Sequence, residues 1–470
     1  MSRRDELIEL CRREPEKVVD LLLALEAKVA SLEVRLNRTS QNSDKPPSSD
    51  GLKKPPRQRS KSKRKPGGQK GHGGTTLKFS DQPDQIIPHE PACCQACGAS
   101  LDQVEGAMVA RRQEVELPEK LVQIIEHQCL EKQCPGCGCR NRGQWPEHLS
   151  GNVQYGRRFK AFCTYLLNYQ LLPFERTGEL LHTLCGYQPG GGTLQRMLEQ
   201  AYTALEPIEQ TLKAAVRASP VSHGDETSLR VAGQTQWLHV FSSLLYTYYY
   251  WSRHRGQKAH QADGTLPEYQ GILMHDAYRS YFGYGYTHAL CNAHLLRELQ
   301  ALYETDLTQR WAWQLRRLLR LAWTWVKTAQ ARGATHLADP LRDRIVALFE
   351  QIVLRADRHN PPAQRQPGQQ GRVAQSPARN LIDRLLHHQD AYLRFLTDFR
   401  VPFDNNLAER DLRMSKLQQK ISGCFRTPAG TDLFCRIRGY ISTLRKQGYE
   451  ILPALISLWS DTPFIPVPAE

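Results

Sequence analysis

Val221-Ser-His-Gly-Asp225, Trp237-Leu-His-Val-Phe-Ser242, Tyr246-Thr-Tyr-Tyr-Tyr-Trp251, Gly271-Ile-Leu-Met-His-Asp276 and Thr287-His-Ala-Leu-Cys291 follow one another closely and read as short strands. Two are rich in aromatic and β-branched residues and are joined by short connections. Ala293-His-Leu-Leu-Arg-Glu-Leu299 then starts a helix. A meander followed by alternating strand and helix predicts an α/β layered domain, begun by residues 219–300. Asp225 and Asp276 each close a strand in this reading, and side chains at adjacent strand ends converge on one sheet edge, where sites form.

Outward from this segment the pattern turns helical. Residues 301–400 read as a helical insertion with a Pro/Gln/Gly-rich loop from Asn360 to Pro377. Trp311, Leu315, Leu318, Ala322 and Trp325 step by four and three, which predicts a buried face with the tryptophans in the core. Residues 401–470 are helical again. There, Phe403-Asp-Asn-Asn-Leu-Ala-Glu-Arg-Asp-Leu-Arg413 offers Asp404 or Asn405 as a helix cap and puts Asn406, Glu409 and Arg413 on one face. A helix lying on the sheet edge would carry Glu409 to the two aspartates. Three hard oxygen donors suit Mg²⁺ or Mn²⁺, and two such ions ~4 Å apart serve in-line displacement at phosphorus.

Upstream, residues 151–218 are helical. Glu175–Gly186 and the helix opened by Thr193 have the proportions of a helix-turn-helix, with Gly190, Gly191 and Gly192 at the start of its second helix. A plain helical hairpin fits the same pattern. Residues 81–150 form a cysteine-rich module. Cys94-x-x-Cys97-Gly and Cys134-x-x-Cys137-Gly are two knuckles whose four sulfurs suit a closed structural Zn²⁺ site, with Cys93 and Cys139 as spares and Leu121–Ile125 as a strand of a zinc ribbon. Residues 41–80 are rich in Pro, Gly and Ser and read as a linker. Lys53, Lys54, Arg57, Arg59, Lys61, Lys63, Arg64 and Lys65 make it a cationic tether able to neutralise phosphates. In residues 1–40, Val18, Leu22, Leu25, Val29, Leu32 and Leu36 follow a coiled-coil seam.

The net charge of +15 over 470 residues favours a polyanionic partner. No apolar run approaches the ~18 residues of a spanning helix. A cytoplasmic location is expected, where thirteen cysteines are better read as metal ligands or buried thiols than as disulfides.

Several longer motifs occur in a fixed order. They are Pro46-Pro-Ser-Ser-Asp-Gly51, Arg64-Lys-Pro-Gly-Gly-Gln-Lys-Gly-His72, the paired knuckles, His223-Gly-Asp-Glu-Thr227, His275-Asp-Ala-Tyr278, Cys291-Asn-Ala-His-Leu-Leu-Arg-Glu-Leu299, Asn405-Asn-Leu-Ala-Glu-Arg-Asp-Leu-Arg413 and Ile421-Ser-Gly-Cys-Phe-Arg426. Together they resemble the bacterial insertion-sequence transposases of the IS-sixty-six family, the large TnpC-type subunit. The resemblance implies an RNase H-like core with a DDE triad, here Asp225, Asp276 and Glu409 by motif match, and an all-α insertion before the glutamate. It implies cleavage and strand transfer of double-stranded DNA, action as a homo-oligomer on DNA, and small accessory proteins as further partners. Gly190-Gly-Gly192 departs from the family pattern, which has a serine before a single glycine. A zinc-dependent DNA-binding regulator, or an inactive remnant, is the alternative reading of the same features.

Overall fold

A computed structural model describes residues 12–36, 77–365, 371, 373–460 and 462–466. The tether cations Lys53 to Lys65 lie outside the described residues. Two compact units divide the chain, one made of Pro56–Trp145 with Thr183–Gly186, the other of Met1–Pro55, Pro146–His182 and Tyr187–Glu470. Among the described residues no helix is long and apolar enough to cross a membrane.

In chain order the elements are α1 (Pro15–Leu36), β1 (Glu131–Gln133), β2 (Arg140–Arg142), α2 (Arg157–Thr164), a π turn (Tyr165–Tyr169), α3 (Phe174–Cys185), α4 (Gly191–Ala204) and α5 (Glu206–Ala218). Then come β3 (Val221–Val231), β4 (Gln234–Ser242), β5 (Thr247–Ser252), α6 (Gln257–Asp263), β6 (Ile272–His275), β7 (Thr287–Leu290) and α7 (Asn292–Thr305). The rest is α8 (Arg310–Gln330), α9 (Asp339–His359), α10 (Pro377–His387), α11 (Gln389–Leu393), α12 (Asn406–Ser422), α13 (Pro428–Lys446) and α14 (Ile451–Ser457). Leu22, Leu25 and Val29 of α1 are exposed.

The larger unit is built on a mixed five-stranded sheet of order β5-β4-β3-β6-β7. β3, β4 and β5 pair antiparallel, while β6 and β7 run parallel to β3. β3 is longer than its sequence suggests. Asp225 does not end it, because Leu229 and Val231 continue the alternation beyond polar Thr227 and Ser228 and pair with β4 as far as the turn at Ala232-Gly233. Period-two alternation sorts the faces. Leu229 and Val231, with Leu238, Val240 and Tyr249, pack under Ala408 and Leu412 of α12 and Cys435 of α13. On the other face Val216 of α5 meets Phe241, Leu273, Tyr281 and Tyr286. Asp225 shares the odd-numbered face with Leu229, so its side chain belongs to the α12 side of the sheet.

Helix α12 is fixed there by a buried ion pair. Asp411 Oδ2 accepts from Lys446 Nζ of α13 at 2.8 Å and from Ser242 Oγ of β4 at 2.6 Å. Tyr249 of β5 donates its hydroxyl to the Asp411 carbonyl at 2.9 Å. Lys446 also donates to the carbonyls of Ser243 and Tyr246, so the charge is fully ringed by acceptors and its burial is compensated.

The helical insertion has its own core, in which Leu295 and Leu299 of α7 meet Leu315, Leu319 and Ala322 of α8, Phe349 of α9 and Leu385 of α10. Trp311 is buried as expected, but Trp325 is 39% exposed and Trp313 44% exposed, so the tryptophans are not uniformly core. A straight helix drifts ~20° per heptad, and fourteen residues separate Trp311 from Trp325, which carries the second ring off the buried face.

In the smaller unit β1 and β2 form a hairpin around the second knuckle. Leu121–Ile125 is not a strand: its apolar side chains Leu121, Ile124 and Ile125 are exposed, with no partner face to order a ladder.

Candidate functional site

The register of β3 with β6 pairs Val221 with Ile272, Ser222 with Leu273 and His223 with Met274. Two residues further along each strand stand Asp225 and Asp276, at equivalent positions on neighbouring parallel strands. The β3–β6 ladder ends just before them, at His223 and Met274. Right after Asp276 the chain turns sharply through Ala277 at φ 69°. The left-handed region is costly for a residue with a Cβ, by order of ~1 kcal/mol or more. His275 Nδ1 accepts from Ala277 N at 3.3 Å and Asp276 Oδ1 from Tyr278 N at 3.0 Å, holding the turn.

Glu409 comes from the first turn of α12, and Asn405 fixes where that helix starts. The Asn405 side chain does not cap it. Its amide nitrogen donates to the Gly224 carbonyl at 3.0 Å, and its oxygen pairs with His223 Nδ1 at 2.8 Å. Asp404 Oδ1 accepts from Asn406 N instead. Asn405 also donates its backbone N–H to Cys291 Sγ at 3.2 Å. One fully buried asparagine thus ties the glutamate helix, the strand of Asp225 and the start of α7 together.

Glu409 Oε1 lies 3.8 Å from His294 Nε2 and 3.7 Å from an Arg297 guanidinium nitrogen, both of α7. That oxygen and His294 Nδ1 are buried without hydrogen-bond partners. Cys291, His294 and Glu409 offer a sulfur, a nitrogen and an oxygen all within 4.8 Å of one another, and among the described residues no other such group of three occurs. The carboxylates of Asp225, Asp276 and Glu409 are therefore more widely spaced. Both ring nitrogens of His275 are already engaged, Nδ1 by Ala277 N and Nε2 by His288 at 3.1 Å, and the residue is fully buried.

Burial, then the neighbouring charges of Asp276 and Glu226, pushes the Asp225 carboxyl well above its usual range, with Glu409 adding to it. Glu226 is displaced upward by burial and by Asp276. It lies on the opposite face of β3, where Arg255 Nε donates to it at 2.8 Å and the Tyr281 hydroxyl at 2.6 Å. The Arg255 guanidinium is stacked 4.1 Å from the Tyr278 ring and 4.8 Å from the Trp237 ring. Glu226, Asn405 and Asp411 were not found by sequence reasoning as site supports. Their partners lie tens to hundreds of positions away.

The two cysteine knuckles share one geometry. Gly98 N donates to the Cys94 carbonyl and Gly138 N to the Cys134 carbonyl, and both glycines have positive φ (76° and 72°), a conformation glycine adopts freely. Backbone amides of Cys97 and Ala96 lower the Cys94 thiol, and those of Cys137 and Gly136 lower Cys134. Within each knuckle the second thiol hydrogen-bonds the first, yet the four sulfurs do not gather as one group.

With this arrangement in view, comparison with protein families gives a direct answer. The model of the Transposase IS66 family matches residues 152–432, and the chain belongs to that family. It is accordingly a DNA-binding, DNA-cutting type of enzyme, and the matched span contains Asp225, Asp276 and Glu409. Residues 8–78 match a family of unknown function, DUF6444. No curated protein matches the chain.

Proposed function

We propose that this protein is a DDE transposase that cleaves DNA strands at the ends of an insertion sequence and joins them to new DNA. The observation that carries the reading is the shared register position of Asp225 and Asp276, with the Glu409 helix tied by Asn405 to the same strand. The sheet order β5-β4-β3-β6-β7, three antiparallel strands and then two parallel ones, supports an RNase H-like core.

The donor set fits hard divalent ions. Asp225 is buried within the field of Asp276, Glu226 and Glu409, and a buried Glu409 oxygen has no partner. Like charge gathered in a buried site is relieved by Mg²⁺ or Mn²⁺. Donors serving two ions ~4 Å apart need not lie in one tight cage, which suits the wider spacing here. Bound ions supply an activated attacking oxygen and stabilise the leaving one. In the reaction a water oxygen forms a bond to phosphorus as the bond to the 3′ oxygen breaks. The freed 3′-hydroxyl then loses its proton and attacks a target phosphodiester; a new P–O bond forms as the target's own P–O3′ bond breaks, leaving a protonated target 3′-hydroxyl, so one ester is exchanged for another with no ATP. Asp225, Asp276 and Glu409 would hold the ions, Arg297 and His294 flank Glu409 Oε1, and Arg255 keeps Glu226 paired on the far face of β3.

The lowered thiols of Cys94 and Cys134 fit thiolate ligation, and we assign Cys94, Cys97, Cys134 and Cys137 to structural Zn²⁺. The exposed stripe of α1 supports self-association on DNA. Asp225→Asn, Asp276→Asn and Glu409→Gln are each expected to abolish Mg²⁺-dependent cleavage of element ends while DNA binding persists. A parent protein that binds those ends but never nicks them in Mn²⁺ would instead establish a regulator or an inactive remnant.

A further inference from the structure

The outer side of α8 takes no part in the carboxylate site. Helix α8 carries Arg310, Arg316, Arg317, Arg320 and Lys327 and no acidic residue. Its inner side, Leu315, Leu319, Ala322 and Val326, is buried in the insertion core. Its outer side forms a shallow groove of about 330 Å³ lined by Trp313, Arg316, Arg317, Arg320, Leu321 and Thr324, with no carboxylate among them. Trp313 and Leu321 are 44% and 43% exposed there. The Arg317 guanidinium rests 5.6 Å from the Trp313 ring, within the range of a cation–π contact. Arg316 donates to Gln300 Oε1 at 2.9 Å, and its Nε is buried without a partner. Glu304 of α7 is the acid that acts on Arg316, and Arg320 opposes it as a like charge.

Like-charged arginines this close repel a second copy of the same face, so a polyanion is the better complement. Arg317 and Arg320 stand ~4.5 Å apart along the helix axis. Successive phosphates of one DNA strand advance ~3.4 Å, so two long side chains reach neighbouring phosphates. We propose that this face of α8 binds the backbone of duplex DNA without regard to sequence, as a contact separate from both the carboxylates and the basic tether. The proposal rests on the transposase reading and adds a surface to it.

The test compares the full chain with Arg317→Gln/Arg320→Gln and with Arg317→Lys/Arg320→Lys, measuring affinity for a duplex of arbitrary sequence over a salt series. Losing two phosphate contacts is expected to flatten the slope of log K against log salt by ~1.8 and to weaken binding roughly ten- to a hundredfold at ~0.1 M salt. The lysine pair is expected to keep the parental slope, which also separates charge from any loss of folding. If the parent binds and cleaves DNA while the glutamine pair keeps its slope, the α8 contact is overturned and the transposase reading stands. A loss confined to single-stranded probes also overturns duplex binding. A parent that binds no DNA overturns both.

Discussion

The side-chain amide of Asn405 donates to the carbonyl of Gly224 at 3.0 Å, so the residue just before the glutamate helix is bonded to the residue just before Asp225. Through this bond two segments 181 positions apart are held in fixed relation. Asn405→Ala leaves a buried carbonyl and His223 without their partner, at a cost of ~1–3 kcal/mol each. Urea unfolding is expected to show a loss of a few kcal/mol, and cleavage by the folded fraction is expected to fall at least tenfold. A variant with parental stability and rate would mean the tether positions nothing.

Asp411 and Lys446 make a second, independent clamp. Asp411→Ala strands a buried ammonium, and breaking such a pair costs ~3–5 kcal/mol. Asp411→Leu combined with Lys446→Met is expected to recover much of that loss, because apolar replacement of a whole buried pair is often neutral. Thermal melting of the single and double variants checks this. A double variant as unstable as Asp411→Ala would show that the hydroxyl and carbonyl partners, and not the stranded charge, dominate.

The crowded carboxylates imply a particular pH dependence. Burial and then Asp276 raise Asp225, and burial and then Asp276 raise Glu226. A carboxyl with a folded pKa above its unfolded value of ~4 stabilises the fold fully below that value, and the contribution is lost as pH rises through the folded pKa. Metal-free Asp225→Asn is therefore expected to melt above the parent at neutral pH, with the gap closing as pH falls toward ~4. Mg²⁺ is expected to raise the melting temperature of the parent more than that of the variant. A gap that is constant with pH, or an equal response to Mg²⁺, would contradict the crowding.

The proposed zinc ligands all lie in the smaller unit. Cys94→Ser or Cys137→Ser is expected to lower bound zinc and to loosen that unit, leaving the main melting transition unchanged. Metal analysis and limited proteolysis check the two halves of this statement. Equal zinc content in variant and parent would remove the ribbon.

Much of the sheet was legible because its strands are short aromatic or β-branched runs with tight connections. Each strand expected of this sheet exists, whereas Leu121–Ile125 of the cysteine module is not a strand; Asp225 lies on β3 and Asp276 directly after β6. The true length of β3 was hidden by Thr227, Ser228 and Arg230, polar residues that mask the alternation of Leu229 and Val231. Asn405 was read, alongside Asp404, as one of two candidate helix caps, since an asparagine before a helix bonds its own helix by default. Only the approach of β3 gives its side chain other partners. Trp325 was placed in the core by a seven-residue count that a straight helix does not keep. Glu226 was invisible because Arg255 and Tyr281 reach it from elements 29 and 55 positions away.

The central claim is that Asp225, Asp276 and Glu409 together bind the divalent ions that act on DNA. Anomalous scattering from Mn²⁺-soaked crystals locates those ions directly. The expected result is density between the β3 and β6 aspartates and reaching Glu409, and its loss in Asp276→Asn. Density only beside Cys291 and His294, with none at the aspartates, would contradict it.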